Sequence, residues 1–303
     1  MQPRVGSAAT ADSLLAANHW DGQYEVQKKS AWTQNTEVQR ELNRRMTGST
    51  ETFWLNWFFE QFLESKPDCV LSIGCGDGSH EILIGTRGYA GHVFGFDASS
   101  VGIEIAKAAA RDGGLRELIF EQRTFEEFAA SPPVRQYDLA LFAGSLHHVR
   151  DLEGVLCATR SALLPGGKVL VNEYVGACYQ LYPARQLNIV NRVLSGIDPI
   201  FKSASDIQYT VPSIDLVLQT DPTEGVRSAL IPTLLPLFFR TVFERPFGGA
   251  LLHPLFNCLN SIRINDNSIE SIALIKALIN LENELTTEGV LPNDFLFGLY
   301  QTD

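Results

Sequence analysis

The residues most suited to chemistry begin in the stretch CVLSIGCGDGSHEILI, Cys69 to Ile84, where Gly74, Gly76 and Gly78 alternate. Glycine tolerates positive φ and lets a ligand approach backbone that a Cβ would shield. The preceding Cys69, Val70, Leu71 and Ile73 form a short apolar run, suited to a strand covered on both faces. Helical periodicity starts near Ser79, with Ile82 and Leu83 inside. A helix N-terminus beside bare glycine backbone is a pocket of free N–H groups. The nicotinamide fingerprint G-x-G-x-x-G needs glycine where this chain has Ser79, so the pattern here is G-x-G-x-G. A second short strand, His92 to Phe96, ends in Asp97. An acid at that tip can accept hydrogen bonds from two ribose hydroxyls. Turn and acid together predict a nucleoside-containing ligand in an α/β sheet. Two later apolar runs carry titratable residues just beyond their ends: His147-His148 after Tyr137–Ala143, and Glu173 after Lys168–Val171.

The elements that must position these residues follow in order. Residues 1–11 are small and polar and read as a loose terminus. Helices are expected over Asp12–Trp20, Glu37–Met46 and the aromatic-rich Thr50–Leu63. Ser99 to Arg111 reads as a helix capped by Ser99 or Ser100 and ended by Gly113-Gly114. Leu118–Glu121 is the third strand and Tyr137–Ala143 the fourth. Asp151 caps a helix running to Leu163, Leu164-Pro165-Gly166-Gly167 is a turn, and Lys168–Val171 is the fifth strand. Beyond residue 176 the strand–helix alternation lapses. Tyr182–Leu194 and Pro222–Leu235 look helical, the latter broken near Pro232. Thr241–Arg245 is a late strand, Gly248-Gly249 starts a helix through Leu259, Ile269–Leu285 is an amphipathic helix, and Phe295–Tyr300 is a final strand.

CVLSIGCGDG, FGFDAS, YDLALFAGSLHHV and LLPGGKVLVNEY together make the chain resemble the class I S-adenosylmethionine-dependent methyltransferases. The match covers roughly 69–175 well and the last strands more loosely, and it specifies no substrate. The resemblance implies an α/β fold: a Rossmann-like, seven-stranded, mostly parallel sheet with helices on both faces, N-terminal helices, and a helical lid inserted after strand 5. It divides the chain into a helical cap (1–65), a cofactor-binding core (66–175), a lid (176–238) and the remainder of the core sheet (239–303). It implies S-adenosylmethionine as cofactor, held by Gly74, Cys75, Gly76, Gly78, Asp97, Ala98, Thr124, Phe125, Ala143, Gly144 and Ser145. An acid often receives the adenine amino group in this family; here Thr124 stands at that position, with Glu126 nearby. The family also often carries an acid two positions before the first glycine, which helps hold the methionine ammonium; here that position is Ser72. Trp20, Tyr24 and Trp32 are expected as pocket walls.

The resemblance further implies transfer of a methyl group already activated by its sulfonium, so aligning the acceptor can supply much of the rate, up to ~7–11 kcal/mol. A base is needed for an alcohol, phenol or ammonium acceptor. His147 is the leading candidate, because an imidazole titrates near pH 6.5; Glu173 is the alternative. Tyr24, Trp32, His148, Tyr174 and His253 are expected to contact the acceptor. The leading reading is O-methylation of a small-molecule or natural-product acceptor, a peptide-derived one included. The alternatives are C-methylation of an apolar, prenyl-like acceptor, suggested by the apolar lid, and a catalytically idle fold that binds the cofactor. The apolar lid could equally serve as a homodimer face.

Composition narrows the classes. A chain of 303 residues with 45% apolar residues can bury a full core, and a net charge of −11 with no basic block disfavours a nucleic-acid partner. The first twenty residues have no long apolar segment, so no signal peptide is expected, and the apolar run Ala229–Phe239 is too short to span a membrane. Cys69, Cys75, Cys157, Cys178 and Cys258 show no C-x-x-C spacing and read as reduced, buried thiols of a cytoplasmic protein. No metal site is expected, since His147 and His148 are adjacent and would diverge on a regular element.

Overall fold

The computed structural model describes residues 10–26 and 32–303. Of the loose terminus expected over residues 1–11, residues 1–9 lie outside the described residues, as do residues 27–31 between Tyr24 and Trp32. Seven strands form one sheet in the order β3-β2-β1-β4-β5-β7-β6. They are β1 (Cys69–Ile73), β2 (His92–Asp97), β3 (Leu118–Gln122), β4 (Tyr137–Ala143), β5 (Leu163–Tyr174), β6 (Arg240–Pro246) and β7 (Phe295–Gln301). β1 to β5 are parallel; β7 runs antiparallel to both β5 and β6.

Side-chain alternation divides the core into two layers. Val70, Leu139, Leu141 and Leu170 enter one layer, while Leu71, Ile73, Ala140, Phe142, Val169 and Val171 enter the other. Both faces are buried, which is why these strands read as continuous apolar runs rather than alternating ones. Each fully buried Leu or Ile contributes about 1.5–3 kcal/mol of transfer free energy.

The helices are α1 (Ala11–Val26), α2 (Thr36–Thr47), α3 (Trp54–Trp57), α4 (Ser79–Arg87), α5 (Ser100–Asp112), α6 (Phe125–Ala130), α7 (Leu152–Ala162), α8 (Ala184–Gly196), α9 (Ile214–Thr220), α10 (Ile231–Phe238), α11 (Leu252–Phe256), α12 (Ser261–Ile264) and α13 (Ile269–Thr287). α2, α3, α5, α8 and α13 cover the first layer; α6, α7 and α10 cover the second. Ser99 and Asp151 accept the capping N–H bonds of α5 and α7 from Gly102 and Gly154. None of the described helices is long and apolar enough to cross a membrane.

Several expectations are corrected. The helix expected over Thr50–Leu63 is only α3 followed by a single wide turn, Phe58–Phe62. The aromatic side chains of this stretch, not its backbone periodicity, hold it on the sheet: Trp54 and Trp57 pack edge-on against Phe297 of β7. Leu164–Gly167 belongs to a longer β5, bent where Gly166 adopts φ +74°. The expected helix from Gly248 to Leu259 is reduced to α11. In the segment 176–238 two helices pack into the core. α8 joins the first core layer and α10 the second, so both serve the core, and residues 222–227 form turns rather than a helix. Cys157 is exposed and Cys69 half-buried, since α7 turns position 157 outward; Cys75 and Cys258 are buried as expected.

Candidate active site

The strand order reverses between β1 and β4, and the crevice outside the carboxyl ends of such strands is where α/β sheets bind ligands. The backbone N–H groups of Gly74 and Cys75 both donate to the Phe96 carbonyl, at 2.9 Å each, tying the glycine turn to β2. Gly74 has φ +74° and Gly76 φ +57°. A Cβ on Gly74 would lie 2.5 Å from the Ser145 Cβ, and one on Gly76 would meet the Tyr24 hydroxyl. Bare backbone is therefore a packing requirement at Gly74, while at Gly76 the positive φ is what favours glycine. Asp97 accepts from the Gly76 N–H at 2.9 Å and the Ser99 N–H at 2.8 Å. Burial raises its pKa, opposed by these N–H bonds.

This turn floors a cleft of about 210 Å³. Its walls include Gly74, Cys75, Gly76, Asp97, Ala98, Thr124, Phe125, Glu126, Ala143, Gly144, Ser145, His148 and Thr223, and α1 covers it with Ser13, Ala16, Ala17, Trp20 and Tyr24. α1 is fastened by Asp21, which accepts from the Ser99 hydroxyl at 2.5 Å and the Val101 N–H at 3.1 Å, and by an Asp12–Arg150 ion pair at 2.7 Å.

The cleft fits an adenosyl group. Glu126 Oε2 is buried and has no hydrogen-bond partner among the described residues, and Glu126 stands on the cleft wall beside Phe125. An exocyclic amino group would satisfy that acceptor, and the ring of Phe125 offers an apolar face. Asp97 retains carboxylate lone pairs for a ribose diol. Thr124 lines the cleft, but its hydroxyl caps α6 by accepting from Glu127 N, while Glu127 takes the Thr124 N–H in return. Glu126, two positions beyond Thr124, is thus the carboxylate of this loop with a free acceptor among the described residues. Gly78 does not line the cleft. It starts α4 at φ +74°, and a Cβ there would strike Ala106 and Phe120, so its role is helix–strand packing. Beside Ser72 a carboxylate returns from α4: the Ser72 hydroxyl donates to Glu81 at 2.5 Å, and both side chains are buried. Burial raises the Glu81 pKa to about 7.

At the other end of the cleft, Gly144 at the tip of β4 leads into a short turn, Leu146–His148, held by Glu173 from β5. One Glu173 oxygen accepts the N–H groups of Ser145 (2.7 Å) and Leu146 (2.8 Å); the other faces His147 Nδ1 at 2.7 Å. Glu173 is fully buried and its oxygens are engaged, so it positions His147 and is not itself a free base. Burial opposes charging of His147, but the Glu173 hydrogen bond and charge outweigh it and raise the pKa. His148 borders the cleft and its Nδ1 lies 3.1 Å from the Thr223 hydroxyl, which in turn donates to Asp221 at 2.6 Å. Burial and the neighbouring His147 lower the His148 pKa.

The two imidazoles do not diverge: their ring centroids are 4.2 Å apart. Of the other expected acceptor contacts, Tyr24 lines the cleft, over the glycine turn. Trp32, Tyr174 and His253 do not line it. They form a buried aromatic cluster behind His147, whose ring lies 6.0 Å from Tyr174. The Tyr174 hydroxyl donates to the Ala177 carbonyl, and His253 Nδ1 lies 3.0 Å from the Tyr182 hydroxyl, with a pKa pushed down to about 4 by burial. Thr223 and Glu224 are site residues that periodicity did not reveal. No pattern in the sequence marks them, because they meet His148 from far along the chain.

Fold and cleft define a nucleotide-type α/β site with a titratable far end. The chain matches the family model described as "Methyltransferase domain" over residues 38–200 and belongs to that family. It is a class I S-adenosylmethionine-dependent methyltransferase, with S-adenosylmethionine as its cofactor. Among its relatives are proteins named ubiquinone biosynthesis O-methyltransferase, from Aeromonas salmonicida (36% identical over 103 residues) and Marinobacter nauticus (34% over 103 residues). Each alignment covers 34% of this chain and 42% of the relative, so the match spans less than half of those proteins. In three dimensions the chain is similar to a structure described as the [4+2]-cyclase SpnF, with TM-score 0.54, 15% identity and 99% coverage of both chains, a likeness of fold alone.

Proposed function

We propose that this methyltransferase transfers its methyl group to a hydroxyl oxygen of a small, partly apolar acceptor. The observation that carries the reading is the His147–Glu173 pair at 2.7 Å, beside the cleft-lining His148. The bound cofactor supplies an activated methyl group on a sulfonium. Gly74, Gly76, Asp97, Phe125 and Glu126 are the residues suited to hold it. Glu173 fixes His147 with Nδ1–H directed at its carboxylate, leaving the lone pair on Nε2 to take the proton of the acceptor hydroxyl. The raised pKa makes that nitrogen a stronger proton acceptor. His148 and Thr223 contact the acceptor at the rim, and Trp20, whose ring lies 5.5 Å from His148, closes the site against water. The O-methyltransferase names of the relatives also favour oxygen over carbon.

The test is turnover with a panel of phenols and apolar alcohols, followed by His147→Ala with the best acceptor. Loss of more than ~10²-fold in kcat, with cofactor affinity retained, is expected for a base. Unchanged kcat, or efficient methylation of a carbon acceptor in place of every hydroxyl tried, overturns the reading.

A further inference from the structure

We propose that His147, His148 and Glu224 form a seat for a zinc-class divalent transition-metal ion, and that filling it blocks the proton acceptor of the methyl-transfer site. The inference rests on the role given above to His147 and adds a control on that role. One nitrogen of each histidine and one Glu224 oxygen lie within 4.8 Å of one another. Ions of this class bind imidazole nitrogen and carboxylate oxygen at ~2.0–2.2 Å, so their ligands stand ~3–4 Å apart, and a small closure of this cluster meets that spacing. Two imidazoles and a carboxylate suit zinc, iron, cobalt or nickel rather than magnesium or calcium.

The surroundings match what metal-binding histidines need. Such histidines engage their second nitrogen with a carboxylate or another oxygen, which fixes the ring and its tautomer. Here His147 Nδ1 is engaged by Glu173 at 2.7 Å, and His148 Nδ1 by Thr223 at 3.1 Å with Asp221 at 3.5 Å. The other edge of each ring is left as the lone-pair donor, and His148 Nε2 already faces Glu224 at 3.8 Å. Glu224 is held from behind by Gln180 at 2.6 Å. Asp221 Oδ2 is buried with no hydrogen-bond partner among the described residues. Glu173, Asp221 and Glu224 bring three carboxylates around two imidazoles, an excess of negative charge that a dication would neutralise. The third ligand comes from the turn after α9, far in sequence from the histidine pair, so a bound ion would tie that turn to the tip of β4.

Occupancy has a direct chemical consequence. An ion coordinated by the His147 lone pair takes the electron pair that would otherwise accept the acceptor's proton. Metal and base catalysis at this nitrogen are mutually exclusive.

The experiment is titration of chelator-treated protein with Co²⁺, followed by visible absorption, and then displacement by Zn²⁺. Expected are one ion per chain, a d–d spectrum that Zn²⁺ abolishes, and affinity reduced more than ~10-fold in both Glu224→Gln and His148→Ala. Stoichiometric Zn²⁺ should also suppress methyl transfer, with Glu224→Gln escaping that suppression. Absent Co²⁺ binding, or binding undiminished in both variants, overturns the seat. Stimulation of transfer by Zn²⁺ overturns the blocking role. If His147→Ala retains full turnover, the base assignment fails while the Co²⁺ spectrum of the unaltered protein still decides the metal site.

Discussion

Glu173→Gln tests the working end of the site with almost no change of shape. The amide oxygen can replace the carboxylate oxygen that accepts the N–H groups of Ser145 and Leu146. The NH₂ group then lies where the other oxygen faces His147 Nδ1 at 2.7 Å. A donor at that point forces Nδ1 to become the acceptor and moves the ring proton to Nε2, which removes the lone pair from the reactive edge. Proton acceptors in such roles are worth ~10²–10⁴ in rate, or about 3–5 kcal/mol of activation free energy. The loss should appear in kcat. Calorimetric affinity for S-adenosylmethionine should stay within about threefold, because Asp97, Phe125 and Glu126 are untouched. Fold stability should fall by less than about 3 kcal/mol, the scale of a hydrogen bond to a charged group. The pH profile gives an independent sign. His147 must be neutral to act, and Glu173 holds its pKa up, so the variant's rate should reach its plateau at lower pH than the parent's. Two-dimensional ¹H–¹⁵N correlation of the imidazole nitrogens reports the tautomer without any acceptor. A variant that keeps both the Nδ1–H tautomer and its kcat refutes the mechanism. One that loses cofactor affinity and kcat together refutes the separation between the two ends of the cleft.

Three further outcomes follow from the same geometry. Asp97→Ala should weaken S-adenosylmethionine binding more than ~10-fold by calorimetry, and Asp97→Asn less, because the amide can still accept the Gly76 N–H; equal affinity in all three proteins would remove Asp97 from the site. Gly74→Ala must place a Cβ at positive φ and 2.5 Å from the Ser145 Cβ, so urea unfolding should register a loss of ~1–3 kcal/mol along with weaker cofactor binding; parental stability would refute the packing argument. Glu81 carries a folded pKa raised from 4.5 to about 7 by burial, so the unfolded chain ionises first and stability should decline as pH rises from about 4.5 to 7, by up to ~3 kcal/mol. Glu81→Gln should flatten that decline in urea titrations at pH 5 and 8, and a slope unchanged from the parent would contradict it.

The strands and the cofactor loop were legible in the sequence for a simple reason. A parallel strand buried on both faces leaves an unbroken apolar run, and the glycine turn needs residues that few other constraints would select. Asp97, Ala98, Phe125 and Ser145 follow because each sits at a strand end, where chain order and spatial order agree. The acceptor end was less legible. Glu173 reads as a candidate base because a carboxylate beside a histidine looks the same in sequence whether its oxygens are free or engaged. The histidine pair was expected to diverge, an argument valid on a regular helix or strand but not on the tight turn that Glu173 imposes. Thr223 and Glu224 reach His148 across a long separation, and one chain carries no signal for such a meeting. Tyr174, His253 and Trp32 have the composition of a binding wall and the burial of a core, and only packing distinguishes the two.

The position of β7 has a consequence for how the protein is made. β7 hydrogen-bonds to both β5 and β6, yet it begins only at Phe295, long after β5 ends at Tyr174. On the ribosome, β1 to β5 can pair as they emerge, but the open side of β5 must wait while the intervening helices are synthesised. During that interval a long, apolar strand presents unpaired backbone to solvent or to another nascent chain. β6 emerges earlier than β7 but has no neighbour until β7 slides between it and β5. A premature stop before Phe295 would therefore leave β6 unpaired and one side of β5 open, and such a product should be a substrate for chaperones and proteases rather than a shortened enzyme.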